Sequence, residues 1–405
     1  MSAVDALSIS VIVASHERPK WLRRCLTGLA QLDYPNFEIV IAADDLGLAA
    51  IADHPAVAHV KTVPASEANI SRTRNLGVEQ ASGDIIAFVD DDAVPEPLWL
   101  RFHAEALAMT NAAASVGNVR GRNGISFQSS AESVDAEAET HREQSQLKSP
   151  FVPNLATGRA VKLVGTNFAI RRDVLLGIGG FDEAFRYYLD DTDISMRLSK
   201  AGYKAIVAPS AEVHHATAPS SRRTPARRPR DLTEMGRSTA YFLRKHGTIT
   251  DSSFQRMFDR ERQRLLRHLV NGTCEPSDIS PILETLRLGW CEGKQRVSQP
   301  LRKFREPNSG FLRFPAIPPG HEVIAERLMG KRAILKADKR ISLFRFSRTS
   351  LRHHVKFVEP GVWLQTGGQF GPSVREAPVF RWCRFAERVE EETRRVAMQR
   401  GIGEN

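Results

Sequence analysis

Residues 83–92 read GDIIAFVDDD, an apolar run of strand length that ends in three consecutive carboxylates. Because Ile85 to Val89 shows no alternation of polar and apolar side chains, it predicts a strand buried on both faces, inside a mostly parallel sheet. Three neighbouring acids without partners would repel one another by up to about a few kcal/mol. A divalent cation at the end of the strand would offset this repulsion. The simpler alternative is an acidic turn that caps the next helix.

The first ninety residues contain further strand-length apolar runs, which alternate with segments of helical spacing. The runs are Leu7 to Val13, Phe37 to Ala42 and Val57 to Val63. This alternation predicts an α/β domain with a parallel sheet, in which ligands bind outside the carboxyl ends of the strands. Polar clusters follow three of the apolar runs, at Ser15-His16-Glu17, Asp44-Asp45 and Asp90-Asp91-Asp92. We expect these clusters to line one pocket.

Residues 120–220 continue the pattern less regularly. Ala131 to Gln144 is acidic and rich in alanine, which predicts a helix or a mobile excursion. Val161 to Ile170 alternates like a strand, and Lys204 to Val207 predicts a short last strand. Between them, Asp190-Asp191 opens a helical segment, where the helix dipole favours acids. Adjacent carboxylates at such a position are ordinarily caps or solvated acids, so spacing alone leaves their role open.

The net charge of +10 is concentrated in two stretches of the chain. Residues 301–355 hold 13 Lys or Arg against four acids, and residues 221–230 contain five Arg and no acid. This balance favours an anionic partner, namely phospholipid head groups, an acidic glycan or nucleic acid. A solvated basic face without a partner is the alternative. The prolines in 221–230 exclude a regular helix interior and predict a loop at the mouth of the pocket or a linker.

Four scattered cysteines without metal-type spacing predict reduced thiols in a reducing cytosol. No stretch approaches the run of about 18 apolar residues that spans a bilayer, and the N-terminus lacks the basic and apolar regions of a signal peptide. We therefore expect a cytoplasmic protein. A second expectation is that this protein contacts the inner face of the membrane peripherally. The length of 405 residues predicts two or three domains.

Seven segments together resemble the family 2 glycosyltransferases, which are inverting enzymes of the GT-A fold. They are SVIVASHERP, EIVIAADD, ISRTRNLGVEQASGDIIAFVDDD, GTNFAIRRDVL, GGFDEAF, DDTDISMRLSKAGY and AEVHH, in this order along residues 7–220. The resemblance implies an α/β catalytic domain of the GT-A fold over residues 1–220, with a Rossmann-like, mostly parallel sheet flanked by helices. Residues 221–300 are then a basic linker and helical extension. Residues 301–405 are a basic, mixed α+β region of unrecognised fold.

The resemblance also implies a nucleoside diphosphate sugar donor, linked to UDP, GDP or dTDP, and a glycan or lipid-linked acceptor. Asp90-Asp91-Asp92 resembles the family's DxD motif, in which the last acid holds the metal and the first contacts the donor. Asp92 is therefore the expected ligand of Mn²⁺ or Mg²⁺, ions that hard oxygen ligands select. Asp91 is placed on the donor side with Asp90, with a solvated neighbour as the alternative. In the family a histidine after the last core strand adds a ligand, a place that His214 or His215 fills.

Asp190-Asp191 resembles the family's Glu-Asp pair, whose second acid is the catalytic base. Asp191 would then take the acceptor proton while the acceptor hydroxyl attacks the anomeric carbon, which inverts the product. Asp190 stands where the family usually has Glu and is placed on the acceptor side. Gly165, Asn167, Gly179 and Gly180 are expected to shape that side too, because glycine lets a sugar approach the backbone.

On the donor side, the resemblance puts Ser15, His16 and Glu17 in the place of a Thr-Tyr-Asn motif around the nucleobase. His16 replaces an aromatic ring of the family, so the preference among uridine, guanosine and thymidine stays open. Asp44 or Asp45 is expected to accept a hydrogen bond from the base. Arg74 is expected to pair with base or phosphate.

Three other functions fit parts of the sequence. A nucleotidyltransferase also places acids at strand ends, but it would need a glycine-rich loop with Arg and Lys where this chain has ASHERP. A non-catalytic glycan- or membrane-binding module on a transferase scaffold would not need Asp90, Asp92 and Asp191. Nucleic-acid binding through residues 301–355 is the weakest option and would show a steep salt dependence.

Overall fold

The structure is a computed structural model that describes residues 4–143, 149–305, 307, 309–315, 320–328 and 339–403. Its strands are β1 (Ile9–Ser15), β2 (Phe37–Ala43), β3 (Val60–Pro64), β4 (Ile85–Asp90), β5 (Ala93–Pro95), β6 (Ala114–Arg120), β7 (Phe127–Ser129), β8 (Glu132–Val134), β9 (Thr140–Arg142), β10 (Ala160–Val161), β11 (Phe168–Arg171), β12 (Ala205–His215), β13 (His321–Arg327), β14 (Arg340–Ser347), β15 (His354–Val358) and β16 (Val362–Gly368). Its α-helices are α1 (Pro19–Leu29), α2 (Asp45–Ile51), α3 (Ile70–Gln80), α4 (Trp99–Ala108), α5 (Arg172–Gly177), α6 (Asp190–Lys200), α7 (Thr233–His246), α8 (Asp251–Val270), α9 (Pro276–Gln295) and α10 (Phe385–Arg400).

Nine strands of the N-terminal half form one mixed sheet in the order β3-β2-β1-β4-β11-β6-β12-β5, with β7 added to β6. Strands β3, β2, β1 and β4 run parallel to one another, and β6 runs parallel to β12. Strand β11 is antiparallel to both of its neighbours. Strands β1 and β2 are buried along their whole length, and β4 is buried up to Asp90. The predicted α/β class with a mostly parallel sheet is therefore confirmed.

The register of the central strands gathers the polar clusters. Ala14 at the end of β1 pairs with Asp90 at the end of β4, and Ser15 pairs with Ala43 at the end of β2. The chain then turns within Asp91-Asp92 and enters β5, which pairs antiparallel with the end of β12. The carboxyl ends of these strands consequently meet at one edge of the sheet.

Two expectations for residues 120–220 were wrong. The acidic stretch from Ala131 contains no helix as far as Glu143; instead β8 pairs with β9 and with β10 in a small antiparallel sheet, while Gln144 lies outside the described residues. The last core strand is also much longer than Lys204 to Val207, because a bulge between Ala208 and Glu212 carries β12 on to His215. That bulge re-aims the final residues of the strand toward the site.

The C-terminal half packs against this sheet domain through two further layers. Helices α7, α8 and α9 bury an apolar cluster of their own around Leu265, Leu286 and Trp290. Beyond them, β13, β14, β16 and β15 form a four-stranded sheet, whose core includes Phe344 and is completed by Val396 of α10. Among the described residues, no helix combines the length and the apolar character needed to cross a membrane. The three-part division at residues 220 and 300 stays a prediction.

Candidate active site

A cavity of about 420 Å³ opens at the carboxyl ends of β1 and β4. Its walls contain Ser15, His16, Glu17, Arg18, Arg74, Asp90, Asp91, Asp92, Gly165, Thr166, Tyr187, Tyr188, Asp190, Asp191, His215, Arg222 and Arg223 among others. The predicted clusters at the ends of β1 and β4 thus face one space, together with the start of α6 and the end of β12. Both the acids and the arginines that line it are drawn from distant parts of the chain.

Asp91 is a buried, fully engaged carboxylate. Its Oδ2 accepts a hydrogen bond of 2.7 Å from the Ser15 hydroxyl, and its Oδ1 lies 3.0 Å from Arg18. Burial, with Asp92 adding repulsion against the attraction of Arg18, raises the pKa of Asp91 to about 7. The alternative of a solvated neighbour is therefore wrong, because only 3% of Asp91 is exposed. The residue ties β1 and the first turn of α1 to the acidic turn.

Asp92, Asp90 and His215 place three metal-type ligand atoms within 4.8 Å of one another. His215 Nε2 lies 3.0 Å from Asp92 Oδ1, yet that buried oxygen has no aligned hydrogen-bond donor. Asp92 Oδ2 accepts from the Ala218 amide at 2.7 Å. Burial disfavours the charged form of Asp92, but His215 and Arg18 outweigh it and hold its pKa well below the usual range. Two carboxylates and an imidazole in this arrangement could hold a divalent cation.

The neighbouring His214 points away from this cluster, because successive residues of a strand face opposite sides. Its Nε2 lies 2.8 Å from Glu96, and its ring contacts that of Trp363 at 4.9 Å. Glu96 also receives both ends of the Arg400 guanidinium, at 2.9 and 3.0 Å. Burial lowers the pKa of His214 to about 4. The geometry therefore favours His215 as the ligand and gives His214 a structural place beside the C-terminal sheet.

Arg74 links the two acidic ends of the cavity. One guanidinium nitrogen contacts Asp190, and the other lies 2.9 Å from Asp90 and 3.1 Å from the Gly165 carbonyl oxygen. The guanidinium carbon also lies 5.3 Å from the ring centre of Phe181. Burial raises the pKa of Asp190 to about 7 despite the Arg74 charge. Both terminal nitrogens of Arg74 therefore bind carboxylates, whereas the sequence predicted that Arg74 would pair with base or phosphate.

Asp191 is the least enclosed acid at the start of α6. Its Oδ2 accepts a hydrogen bond of 2.7 Å from the Gly165 amide, and its Oδ1 accepts one of the same length from the Thr192 amide. Tyr188 and Leu189, which precede the helix, both adopt left-handed backbone conformations with φ of 71° and 67°. Such conformations are strained for residues with bulky side chains and cluster at functional sites. The turn is what aims the Asp191 carboxylate into the cavity.

Asp44 and Asp45 lie behind the cavity wall. Asp44 caps α2 by accepting from the Gly47 amide, and its second oxygen accepts from the Glu17 amide at 2.8 Å. His16 Nδ1 is 3.9 Å from the same carboxylate. Asp45 is exposed in the first turn of α2. Asp44 thus fixes the turn that presents Ser15, His16 and Glu17, and direct contact of either acid with a base remains a prediction.

Three residues assigned to the acceptor side do not reach the cavity. Asn167 is fully buried, donating to the carbonyl oxygens of Asn118 and Ala211 and accepting from Trp99. Gly179 and Gly180 have positive φ, and a Cβ at either would collide with Leu301 or Phe304. These glycines therefore accommodate the segment after α9 rather than a sugar. Of the acceptor-side set, Gly165 and Asp190 line the cavity.

Sequence reasoning named Arg74 but missed three other cationic residues of the site. Arg18 lies 3.0 Å from Asp91 and 3.4 Å from Asp92, and Arg223 lies 3.5 Å from Asp92. Arg222 stacks over Tyr187 at 4.6 Å. The signal for the last two was the Arg-rich run 221–230, for which a loop at the mouth of the pocket was one of two expectations; its residues 221–223 line the cavity. Arg18 gave a weaker signal, as a lone basic residue directly after the Ser15 cluster.

Comparison with known proteins shows which family of proteins this α/β domain resembles. Residues 10–178 match the family model described as "Glycosyl transferase family 2". Over these residues the chain is therefore similar to the family 2 glycosyltransferases, in agreement with the resemblance of its motifs.

Three similar proteins illustrate the match. The chain is 44% identical over 64 residues to an N-acetylglucosaminyl-diphospho-decaprenol L-rhamnosyltransferase of Mycobacterium tuberculosis, covering 16% of this chain and 21% of that protein. It is 26% identical over 223 residues to the succinoglycan biosynthesis protein ExoM of Rhizobium meliloti, covering 52% and 67%. A mannosyltransferase from Pyrobaculum calidifontis, solved with GDP-Man and Mn²⁺, aligns with 20% identity and a TM-score of 0.42 over 73% of this chain and 77% of that one. The chain spans about a fifth of the length of the first of these relatives.

Proposed function

We propose that this protein is an inverting, metal-assisted glycosyltransferase that moves a sugar from a nucleoside diphosphate sugar to a hydroxyl of a glycan or lipid-linked acceptor. The observation that carries the proposal is the division of one cavity into two acidic ends. Asp90, Asp92 and His215 lie at one end, and Asp191 lies at the other beside Gly165. Two such ends are what a donor diphosphate and an attacking hydroxyl require.

The residues at the first end fit a divalent cation. Asp92 has a buried oxygen without an aligned donor, and His215 presents Nε2 to it. Asp92 and His215 would be ligands, and Asp90, half-buried and contacted by the Thr166 hydroxyl, would hold the donor or share the ion. A cation bound there offsets the charge that develops on a departing diphosphate. Arg18, Arg222 and Arg223 add positive charge around the same space.

Asp191 is proposed as the base. A carboxylate that accepts two amide hydrogen bonds is held in one orientation, and this one keeps access to the cavity. Taking a proton from the acceptor hydroxyl strengthens that oxygen as a nucleophile in the transition state. Attack from the side opposite the diphosphate inverts the anomeric centre. Asp190 is neutralised by Arg74 and serves to position the helix start.

The proposed donor is a UDP-, GDP- or dTDP-linked sugar, and the choice among the three bases stays open. We further propose a cytoplasmic site of action with peripheral contact to anionic membrane. Nucleic acid is not proposed as a partner.

The decisive experiment is a panel of nucleotide sugars with Mn²⁺ or Mg²⁺, scored for release of nucleoside diphosphate with and without glycan acceptors. Acceptor-dependent release, with a product of inverted anomeric configuration by NMR, is the expected result. A parallel assay supplies a nucleoside triphosphate and a sugar 1-phosphate, and release of pyrophosphate from that pair would instead identify a nucleotidyltransferase. Nucleotide-sugar binding without any turnover would support the non-catalytic module.

A further inference from the structure

The four-stranded C-terminal sheet carries an exposed surface of aromatic and basic side chains. It is formed by three neighbouring segments: residues 348–352, residues 368–372 and residues 380–384. Backbone hydrogen bonds join them, from Phe370 to the Thr349 carbonyl oxygen and from Arg381 to the Phe370 carbonyl oxygen. We name this set of three segments the aromatic–basic surface. None of its residues lines the cavity described above.

The apolar part of the surface is a contiguous stack of rings. Phe370 lies parallel to Trp382, with ring centres 5.0 Å apart, and contacts Phe380 at 5.6 Å. Trp382 is nevertheless 76% exposed and Phe380 58% exposed, and Leu351 beside them is 63% exposed. Apolar residues scattered singly over a surface need no explanation, but a contiguous exposed cluster marks an interaction site.

The backbone under these rings is anchored. Gln369 is buried, and its side-chain amide donates to the Cys383 carbonyl oxygen at 2.7 Å, while the Cys383 thiol contacts the Gln369 carbonyl oxygen at 3.1 Å. The bonds between Gln369 and Cys383 fix the backbone next to Trp382, and stacking on Phe370 orients its ring. A ring presented in this way loses little conformational freedom on binding, which favours a docking role.

Basic residues lie within the three segments and close to them along the chain. Arg348, Arg352 and Arg375 are exposed and form no ion pair within the part of the chain that the structure describes. Arg384 is also exposed, 4.0 Å from Glu387. Glu376 is an exposed acid of the same region, and Arg381 is paired with Glu391. The charge that remains available is positive.

Part of the positive charge of residues 301–355 is not available to a partner. Several arginines of that stretch are used internally: Arg302 pairs with Glu79 and Glu183, Arg340 with Asp33, and Arg345 with Glu326. Arg348 and Arg352, at the end of the same stretch, belong to the aromatic–basic surface and keep their charge available there.

We propose that the aromatic–basic surface docks onto the head-group region of an anionic phospholipid bilayer. Trp and Phe side chains enter the boundary between head groups and acyl chains, where amphipathic rings are favoured. The surrounding guanidinium groups bind lipid phosphates. The arginines and the exposed rings thus bind the same bilayer. This docking does not depend on the proposed catalytic chemistry.

The test uses the full chain in co-sedimentation with vesicles of phosphatidylcholine, with and without phosphatidylglycerol. We expect binding only when phosphatidylglycerol is present, weakening as salt is raised. Arg348→Gln with Arg352→Gln should lower the partition coefficient on the order of 25-fold, from about fivefold for each charge. Trp382→Ala with Phe380→Ala should lower it at least as much.

Matched controls are available on α8. Arg262 and Arg267 are also exposed, and the double change to Gln removes the same charge elsewhere; Val270→Ala removes an apolar side chain that is 86% exposed. Both should bind like the unchanged protein. If the Trp382 variant does not fold, fluorescence of the unchanged protein decides, since Trp382 is the most exposed of its tryptophans and should be quenched by vesicles with spin-labelled lipid.

Three results would overturn the proposal. One is binding that does not depend on phosphatidylglycerol, either equally strong to both kinds of vesicle or absent from both. Another is a concentration-dependent dimer that Trp382→Ala dissolves, which would assign the surface to a second copy of the chain. The last is saturable binding of soluble oligosaccharides through Trp382 in a protein that ignores vesicles.

Discussion

Arg74 and Asp190 form a buried ion pair across the floor of the cavity, joining α3 to the first residue of α6 over 116 positions of sequence. The same guanidinium reaches Asp90 with its other nitrogen. One cation therefore holds together the strand end that carries the proposed metal ligands and the helix start that carries the proposed base.

Removing that cation should be more harmful than removing one of its partners. Arg74→Met leaves Asp90 and Asp190 without compensation, and we expect it to lower the free energy of unfolding by about 3–5 kcal/mol. Asp190→Asn should cost less, since Arg74 keeps Asp90. Urea unfolding monitored by circular dichroism measures both. Equal losses in the two variants would contradict the bridging role.

Asp191→Asn should reduce transfer by about 10²–10⁴-fold while donor affinity stays nearly unchanged, because it removes the base and no metal ligand. Turnover is followed by nucleotide release, and donor affinity by calorimetry. Asp173→Asn, at an exposed carboxylate in the first turn of α5, is the matched control and should be fully active. Full activity of the Asp191 variant would remove the assignment of the base.

The two adjacent histidines should differ sharply in metal binding. His215→Gln is expected to weaken Mn²⁺ binding at least about tenfold, as loss of even an outer-shell partner costs 10- to 100-fold. His214→Gln should leave the affinity within about threefold, because its ring faces Glu96. Electron paramagnetic resonance of free Mn²⁺ gives both constants without turnover. If His214→Gln weakened Mn²⁺ binding more than His215→Gln does, the metal ligand would lie on the opposite face of β12.

Acid should destabilise the protein partly through Asp193. Burial opposes its charged form, but His246, Arg197 and Lys245 outweigh burial and hold its pKa far below the usual range. Since the folded pKa lies below the unfolded value of about 3.9, the stabilisation is present above that pH and falls by about 1.4 kcal/mol per pH unit below it.

Asp193→Asn should therefore be less stable at neutral pH and show a shallower loss between about pH 4 and pH 2. Urea unfolding at several pH values measures the slope. Asp251→Asn, at an exposed acid in the first turn of α8, should keep the slope of the unchanged protein. An unchanged slope in the Asp193 variant would mean that other carboxylates dominate acid unfolding.

The strands and the acids at their ends could be predicted from local sequence, because strands buried on both faces contain unbroken apolar runs. The surroundings of each side chain could not. Asn167 resembles a site residue by position, yet Trp99 and the Ala211 carbonyl oxygen bind its amide inside the core. From the sequence, Gly180 resembles a position where a sugar can approach the backbone, but in the structure Phe304 covers it. The pairing of Arg18 with Asp91 and of Arg223 with Asp92 depends on tertiary packing, which local sequence does not show.

The ion pair between Glu96 and Arg400 sets an order of events during biosynthesis. Glu96 precedes its guanidinium partner by 304 residues, so about 15–60 s separate their emergence at typical rates of translation. During that interval Glu96, which follows β5, lacks the arginine with which it is buried in the folded protein. The edge of the sheet that carries Asp92 and His215 should thus be the last to become protease-resistant, which limited proteolysis of ribosome-stalled chains can time. A newly made chain would bring the proposed metal ligands into their final geometry only after Arg400 has left the ribosome.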